Sequence, residues 1–344
     1  MTNDAMTTDA VTSDPVTGDV VLEARALRTR FGSADGGLVA VDGVSFALRR
    51  GRTTAIVGES GSGKSTVALS LLGLIEPPGR VIGGEVLYEG RDLTLLSEAA
   101  LQAIRGARIG IIFQDPLSSL NPALSIGSQI AETILAHEAV SRAEANERAV
   151  ELLTHVGVAD AARRAADRPH HFSGGMRQRV LIAAAIACRP EIIIADEPTT
   201  ALDVTAQAKI LRLLHDLQQE MSASLLLITH DLGVVAAMAD DVVVMYAGRV
   251  VECADVDTVF HAPRHPYTRA LLSCMMGIEG SRTAPLTPIM GAPPDLRAPP
   301  PGCRFAPRCP DATDACSSWS AHLLRRSATH SVACRRVDEL SARD

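Results

Sequence analysis

Eight residues, GESGSGKS from Gly58 to Ser65, constrain this chain more than any other stretch of it. The apolar run TTAIVG precedes them as a short buried strand. KSTVALSLLGLI follows with helical spacing and runs up to Pro77 and Pro78. Glycines at this spacing let backbone N–H groups turn inward onto phosphate oxygens, and the helix that starts at the loop adds the positive end of its dipole. Lys64 supplies a compact, mobile charge for the β- and γ-phosphates, and Ser65 a hydroxyl for Mg2+. The chain has only two lysines, Lys64 and Lys209; arginine supplies every other basic residue. A lysine retained here marks a place where a guanidinium fork does not fit. The loop therefore predicts a nucleoside triphosphate site, with Gly58, Ser60, Gly61, Ser62, Gly63, Lys64, Ser65 and Thr66 as contact residues.

The rest of the chain supplies an α/β frame for that loop. VVLEARALRTRF and VAVDGVSFAL alternate as strands across a Gly-rich turn, and GGEVLYEG and RIGIIFQ read as further strands. From Ser125 to Asp167 the pattern is helical and Ala-rich. SGGMRQRVLIAAAIA reads as a helix start and helix, EIIIADEP as a buried strand, DVTAQAKILRLLHDLQQE as an amphipathic helix, and ASLLLITH as another buried strand. DLGVVAAMA is helical, and DVVVMYAGRVVEC is a strand pair turning at Ala247-Gly248. Strands that alternate with helices argue for a parallel sheet. Residues 1–19 read as a polar, acidic, disordered tail without the basic and apolar regions of a signal peptide. Residues 20–262 form the nucleotide-binding domain, with a helical subdomain at about 115–172. Prolines crowd 285–310 and periodicity fades, so 263–344 reads as a loop-rich extension.

Composition excludes several classes. A net charge of −7 gives no global attraction for nucleic acid. No apolar run reaches the 18 residues or so that span a bilayer. These features together point to the cytosol.

IIIADEP puts Asp196 and Glu197 at the C-terminal end of an apolar strand, the end that faces the ligand crevice in a parallel sheet. Asp196 there would hold Mg2+ through water, and Glu197 would polarise the attacking water as general base. Together with Gln114, Ser173-Gly174-Gly175 in FSGGMRQ, TALD at 200–203, and His230, the order of motifs resembles the ATP-binding cassette (ABC) ATPases over roughly residues 20–260. The resemblance implies a P-loop NTPase fold with an antiparallel β subdomain beside the helical one. It implies that Ser173, Gly174 and Gly175 meet the γ-phosphate held by a second, identical or homologous ABC ATPase subunit, and that Asp203 lies at the seam. Gln114 would contact Mg2+ or the water, His230 would touch the γ-phosphate, and Phe31 would stack on adenine. SGGMRQR, QDPLSSLNP and HAPRHPYTRALL further resemble the oligopeptide/dipeptide-permease branch, which includes nickel importers, and with GCRFAPRCP the likeness reaches about residue 336. The function it implies is ATP hydrolysis coupled to uptake of di- and oligopeptides. The partners would be two transmembrane permease subunits and, through the complex, an extracytoplasmic solute-binding protein. The chain would sit peripherally on the cytoplasmic face of the membrane, and the segment after Gln114 would meet the permease. A nickel or other small-solute importer is the first alternative. A soluble cassette ATPase of DNA repair or translation is the second, and the single cassette without a long heptad run or basic patch speaks against it.

Seven cysteines remain. Cys188 lies in the apolar helix LIAAAIAC, Cys253 ends a strand and Cys274 sits in LLSCMM, and each reads as a small buried hydrophobe. Cys303, Cys309, Cys316 and Cys334 are separated by five, six and seventeen residues in loop-rich sequence. Four thiolates suit tetrahedral zinc or an iron–sulfur cluster, and free or disulfide-forming thiols are the remaining reading. No C-x2-C knuckle supports zinc, and Pro310 follows Cys309 as proline follows a ligand in ferredoxin-like runs. The resembled branch carries a [4Fe–4S] cluster in this extension. His322 and His330 read as surface histidines or substitute ligands.

Overall fold

The computed structural model describes residues 19–33, 37–200, 202–279 and 289–341. Except for Asp19, the acidic tail read from residues 1–19 lies outside them. Twelve strands are described: β1 (Val20–Phe31), β2 (Leu38–Arg49), β3 (Thr53–Val57), β4 (Arg80–Tyr88), β5 (Arg91–Asp92), β6 (Ile109–Ile112), β7 (Ile192–Asp196), β8 (Ser224–Ile228), β9 (Asp241–Tyr246), β10 (Arg249–Asp255), β11 (Leu324–Arg325) and β12 (Ser331–Val332). They form two sheets. The smaller is antiparallel, in the order β2-β1-β4-β5. The larger runs β11-β12-β10-β9-β3-β8-β7-β6, and its five strands from β9 to β6 are parallel.

The apolar runs explain the layering. Every residue of β3, β7 and β8 is buried, so both faces of the central sheet are covered. Ile192, Ile194, Leu226 and Ile228 pack with the antiparallel sheet and the helix Lys64–Leu71. Their alternates Ile193, Ala195, Leu225 and Leu227 pack with the helical insert and the helices Gly174–Ala185 and Val204–Met221. The insert carries Ile126–His137 and Arg142–His155, capped by Ser125 and Ser141 through their hydroxyls.

Two elements end earlier than their sequence suggests. The helix after the phosphate loop stops at Leu71, not at Pro77. Gly73 takes φ +61° and its N–H bonds to Ser70 O, while Leu74 N bonds to Leu69 O. This is a Schellman cap, and glycine at its left-handed position ends the helix before the prolines matter. Likewise Cys188 lies beyond the helix Gly174–Ala185, with Sγ 3.8 Å from Thr133 O.

The extension is built into the core and does not stand apart as a separate module. β12 pairs with β10 at Glu252–Val332 and Cys253–Ser331, lengthening the central sheet. Tyr267 and Phe305 pack on Tyr246 of β9, with ring centroids 4.7 and 5.2 Å away. Asp42 of β2 ties three parts together. It accepts from Arg28 of the small sheet at 3.0 Å, from Arg249 of β10 at 2.8 Å and from Arg304 of the extension at 2.5 Å. Glu252, fully buried, accepts from the N–H groups of Arg264 (2.7 Å) and His265 (3.0 Å) and from His330 Nε2 (2.8 Å). His330 is therefore buried and bonded to Glu252 through Nε2; it is not a surface histidine. His322 instead bonds Ser320 O through Nδ1 and leans on Trp319.

Burial pushes His265 down to about 4. The Glu252 carboxyl is held below its usual range because hydrogen bonds from His330, Thr268 and two amides outweigh its burial. Both groups then favour the folded chain at neutral pH. Between pH 6.5 and about 4 the unfolded His265 takes up a proton that the folded one refuses. Stability against urea should fall by about 3 kcal/mol across that window from this residue. A His265→Asn variant should show a flatter pH profile.

Candidate ATP-hydrolysing site

Four neighbouring parallel strands bring the predicted residues together. In the sheet order β3-β8-β7-β6, the segments that follow the C-terminal ends carry the phosphate loop, His230, Asp196-Glu197 and Gln114. Registers match at those ends: Ile56 and Asp196 both pair with Ile228, and Ile112 pairs with Ala195. Residues far apart in sequence thus emerge along one edge.

The loop itself requires its glycines. At Gly63 (φ +99°) a Cβ would press on the Ala40 carbonyl, and at Gly58 on the Met245 carbonyl. Lys64 opens the helix Lys64–Leu71 and is buried. Its Nζ donates to Gly58 O at 2.9 Å and Glu59 O at 3.1 Å, closing the loop on itself. Burial lowers the Lys64 pKa, and the charges of Glu197 and Asp196 oppose the shift. Ser62 Oγ is buried with no partner among the described residues, the state expected of a group waiting for an oxygen ligand.

Ser65 Oγ donates to Asp196 Oδ1 at 3.0 Å. Burial pushes Asp196 up to about 6; the Ser65 hydrogen bond opposes this, and the Glu197 charge adds to it. A buried carboxylate and a hydroxyl in contact, beside a second carboxylate, make an oxygen donor set suited to a hard divalent cation. These residues fit Mg2+.

Glu197 follows β7 with φ 45°, a left-handed backbone that costs a non-glycine residue about 1–2 kcal/mol. Its amide bonds Ile228 O at 2.8 Å, fixing the turn. Three side chains then hold its carboxylate. Gln114 Nε2 donates at 2.9 Å, Thr200 Oγ1 donates at 2.8 Å, and His230 Nδ1 lies 3.3 Å away. Local strain at a residue so completely held suits a reacting group. Thr200 is the residue that sequence reasoning missed. It lay inside TALD, but nothing in the motif says that its hydroxyl turns back three residues.

Other predicted residues lie apart from this cluster. Ser173 is the N-cap of the helix Gly174–Ala185, yet its hydroxyl makes no capping bond. Gly174 and Gly175 face Leu202 and Ala206, beside Asp203, whose carboxylate caps the helix Val204–Met221 by accepting from Ala206 N at 2.9 Å. No hydrogen bond among the described residues joins Ser173–Gly175 to the phosphate loop. Phe31 ends β1, and its ring lies over Gly79. The thiols of Cys303, Cys309, Cys316 and Cys334 line one small pocket in the extension. Among the described residues, no three His, Cys, Asp or Glu side chains converge closely enough for a single metal ion. No helix among them is long and apolar enough to cross a membrane.

Fold and site together define a phosphate-loop ATPase. Residues 41–200 match the family model described as ABC transporter, and residues 251–316 the one described as Oligopeptide/dipeptide transporter, C-terminal region. The chain is 50% identical over 313 residues to the oligopeptide transport ATP-binding protein OppD of Bacillus subtilis, covering 91% of this chain and 87% of that one. It is 47% identical over 320 residues to the dipeptide transport ATP-binding protein DppD of the same organism, covering 93% and 95%. It is also similar to a dimeric post-hydrolysis state of the ATP-binding cassette MJ0796 bound to ADP and Pi. The TM-score there is 0.62 at 29% identity, covering 68% of this chain and 98% of that one. The chain belongs to the ABC transporter family, in its oligopeptide/dipeptide branch, and is an ATP-hydrolysing cassette.

Replacing Thr200 by valine removes one of the three anchors of Glu197 while keeping the side chain's shape. Steady-state assays should show kcat lowered roughly tenfold with the KM for ATP little changed, a fraction of what a general base contributes.

Proposed function

We propose that this chain is the motor subunit of an importer of di- and oligopeptides, working on the cytoplasmic face of the membrane with two permease subunits and a second ATPase subunit. Peptides are the cargo named for OppD and DppD of Bacillus subtilis, and the extension matches the peptide-transporter C-terminal region. An extracytoplasmic solute-binding protein would deliver the peptide. The exposed apolar side chains Phe113, Leu117 and Leu124, just around Gln114, support the assignment of the permease contact to this segment.

The observation that carries the motor role is the convergence of Ser65, Asp196, Gln114, Glu197 and His230 on one sheet edge. Lys64 exchanges its loop carbonyls for the β- and γ-phosphate oxygens. Ser65 and Asp196 would hold Mg2+, whose charge would offset that of those phosphates. Glu197 accepts the proton of the attacking water, the water oxygen bonds to the γ-phosphorus, and ADP leaves with the bridging oxygen. Gln114 and His230 keep the Glu197 carboxylate aimed, and His230 senses the γ-phosphate. The amides of Ser173, Gly174 and Gly175, at a helix N-terminus, receive the γ-phosphate of the second subunit, with Asp203 at the seam. Phe31 offers its ring to adenine. Glu197→Gln should preserve ATP binding by equilibrium titration and reduce turnover at least a hundredfold; undiminished hydrolysis would remove Glu197 from the role of base.

The four clustered thiols support a [4Fe–4S] cluster in the extension. Burial pushes Cys303 up, Cys309 up to about 12 and Cys334 up to about 11. Yet backbone N–H groups face their sulfurs, from Phe305 and Ala306 to Cys303, from Asp311 to Cys309 and from Arg336 to Cys334. Amides aimed at buried sulfur suit thiolates bound to a cationic centre and serve neutral thiols poorly. The cluster would supply folding energy to a lobe with little apolar core of its own. Anaerobic purification should yield a brown protein with iron and acid-labile sulfide in equal amounts. An iron-free protein that folds and hydrolyses ATP would end this assignment.

A further inference from the structure

The phosphate loop is gripped from outside the ATPase domain. Glu59, between Gly58 and Ser60, is anchored at three points. Its carboxylate accepts from Arg308 Nη1 at 2.8 Å, its amide donates to Tyr267 Oη at 2.9 Å, and its carbonyl accepts from Lys64 Nζ at 3.1 Å. Arg308 and Tyr267 both belong to the extension. We infer that the extension holds the phosphate loop in its ATP-binding conformation through Arg308 and Tyr267, acting as positioning residues on Glu59.

The contact is built to be rigid. The Arg308 side chain is 6% exposed and spends its other donors on Met290 O at 2.9 Å, Ile289 O at 3.2 Å and Tyr246 Oη at 3.2 Å. The guanidinium also lies 5.7 Å from the centre of the Tyr246 ring. Tyr267 is fully buried in the aromatic group with Tyr246 and Phe305. Neither side chain can follow the loop if the loop moves, so both restrict it.

Two physical effects follow. Glycines at 58, 61 and 63 give the loop many backbone states, and pinning Glu59 removes some of them before ATP arrives. Glu59 also places a carboxylate in the loop that must receive a polyphosphate. The fork of Arg308 neutralises that charge and holds it away from Lys64. Without Arg308, the same carboxylate would repel the ligand and compete for the lysine.

The experiment is ATP hydrolysis by the full-length chain in its transporter complex, with thermal unfolding as a control. Arg308→Ala should raise the KM for ATP about tenfold with kcat nearly unchanged, the effect of losing one charge-assisted hydrogen bond at the loop. Arg308→Lys should recover part of the loss. Adding Glu59→Gln to Arg308→Ala should also lower the KM again, because the stranded charge is gone. Tyr267→Phe, which keeps the ring and its packing, should raise KM several-fold on its own. If Arg308→Ala does not fold, Tyr267→Phe and Arg308→Lys still read the same quantity. A merely structural role would lower kcat with the folded fraction and leave KM where it was. That outcome, or an unchanged KM in both Arg308→Lys and Tyr267→Phe, overturns the inference. ATP hydrolysis by the unaltered chain tests the reading of the site separately.

Discussion

The in-register pairing of β3, β8, β7 and β6 is the constraint on which the site depends. Each strand alone delivers one polar segment to one edge of the sheet. Together they set the phosphate loop, His230, Asp196-Glu197 and Gln114 side by side. A slip of one residue in β7 would turn Asp196 to the opposite face and bury Glu197 in the apolar layer, because strand faces alternate. The slip is opposed because every residue of β3, β7 and β8 is buried, so it would carry a carboxylate into a layer with no partner for it. The core thus fixes the geometry of the chemistry directly.

The polar groups along that edge are bonded to one another. Lys64 folds back on two loop carbonyls, Asp196 rests on a serine hydroxyl, and Glu197 collects Gln114, Thr200 and His230. Each of these bonds is one that a nucleotide or a cation can replace. Glu197 differs, because its left-handed backbone and its amide bond to Ile228 belong to the protein alone. Lys64 and Asp196 are therefore placed to rearrange on binding, while Glu197 is placed to stay.

Much of this was legible in the sequence, for reasons that differ by residue. The phosphate loop is legible because its glycines and lysine answer a local backbone problem, and β3, β7 and β8 because short apolar runs bounded by breakers have few other uses. Glu197, Gln114 and His230 were legible through motif order, but their mutual contact was not, since it arises from strand order in the sheet. Thr200 was hidden for the same reason: a hydroxyl that reaches back three residues looks like any turn threonine. The end of the helix Lys64–Leu71 was missed because the prolines at 77 and 78 gave a stronger stop signal than Gly73. How the extension packs was not legible, because prolines and fading periodicity say nothing of its partners: it borrows a core. Val332 joins the sheet, and Phe305 and Tyr267 share the aromatic cluster of Tyr246.

That borrowing has a consequence for how the extension can act. A lobe with its own core could loosen without effect on the ATPase. This one inserts Arg304 and Arg308, both lying between Cys303 and Cys309, into the domain that binds nucleotide. Arg304 reaches Asp42 and the Ala247 carbonyl, next to Gly248, whose N–H bonds Ser62 O within the phosphate loop. Arg308 reaches Glu59 in the same loop. Burying two guanidinium groups is costly unless each is paired, and burial with repulsion from Arg249 already pushes Arg304 down to about 10. Hydrophobic side chains could have joined the two parts at lower cost. What charged pairs add is direction: they fix which loop is held, and at which atoms. The segment between two of the clustered thiols thus touches the phosphate loop directly through Arg308 and braces its neighbour, the Ala247-Gly248 turn, through Arg304.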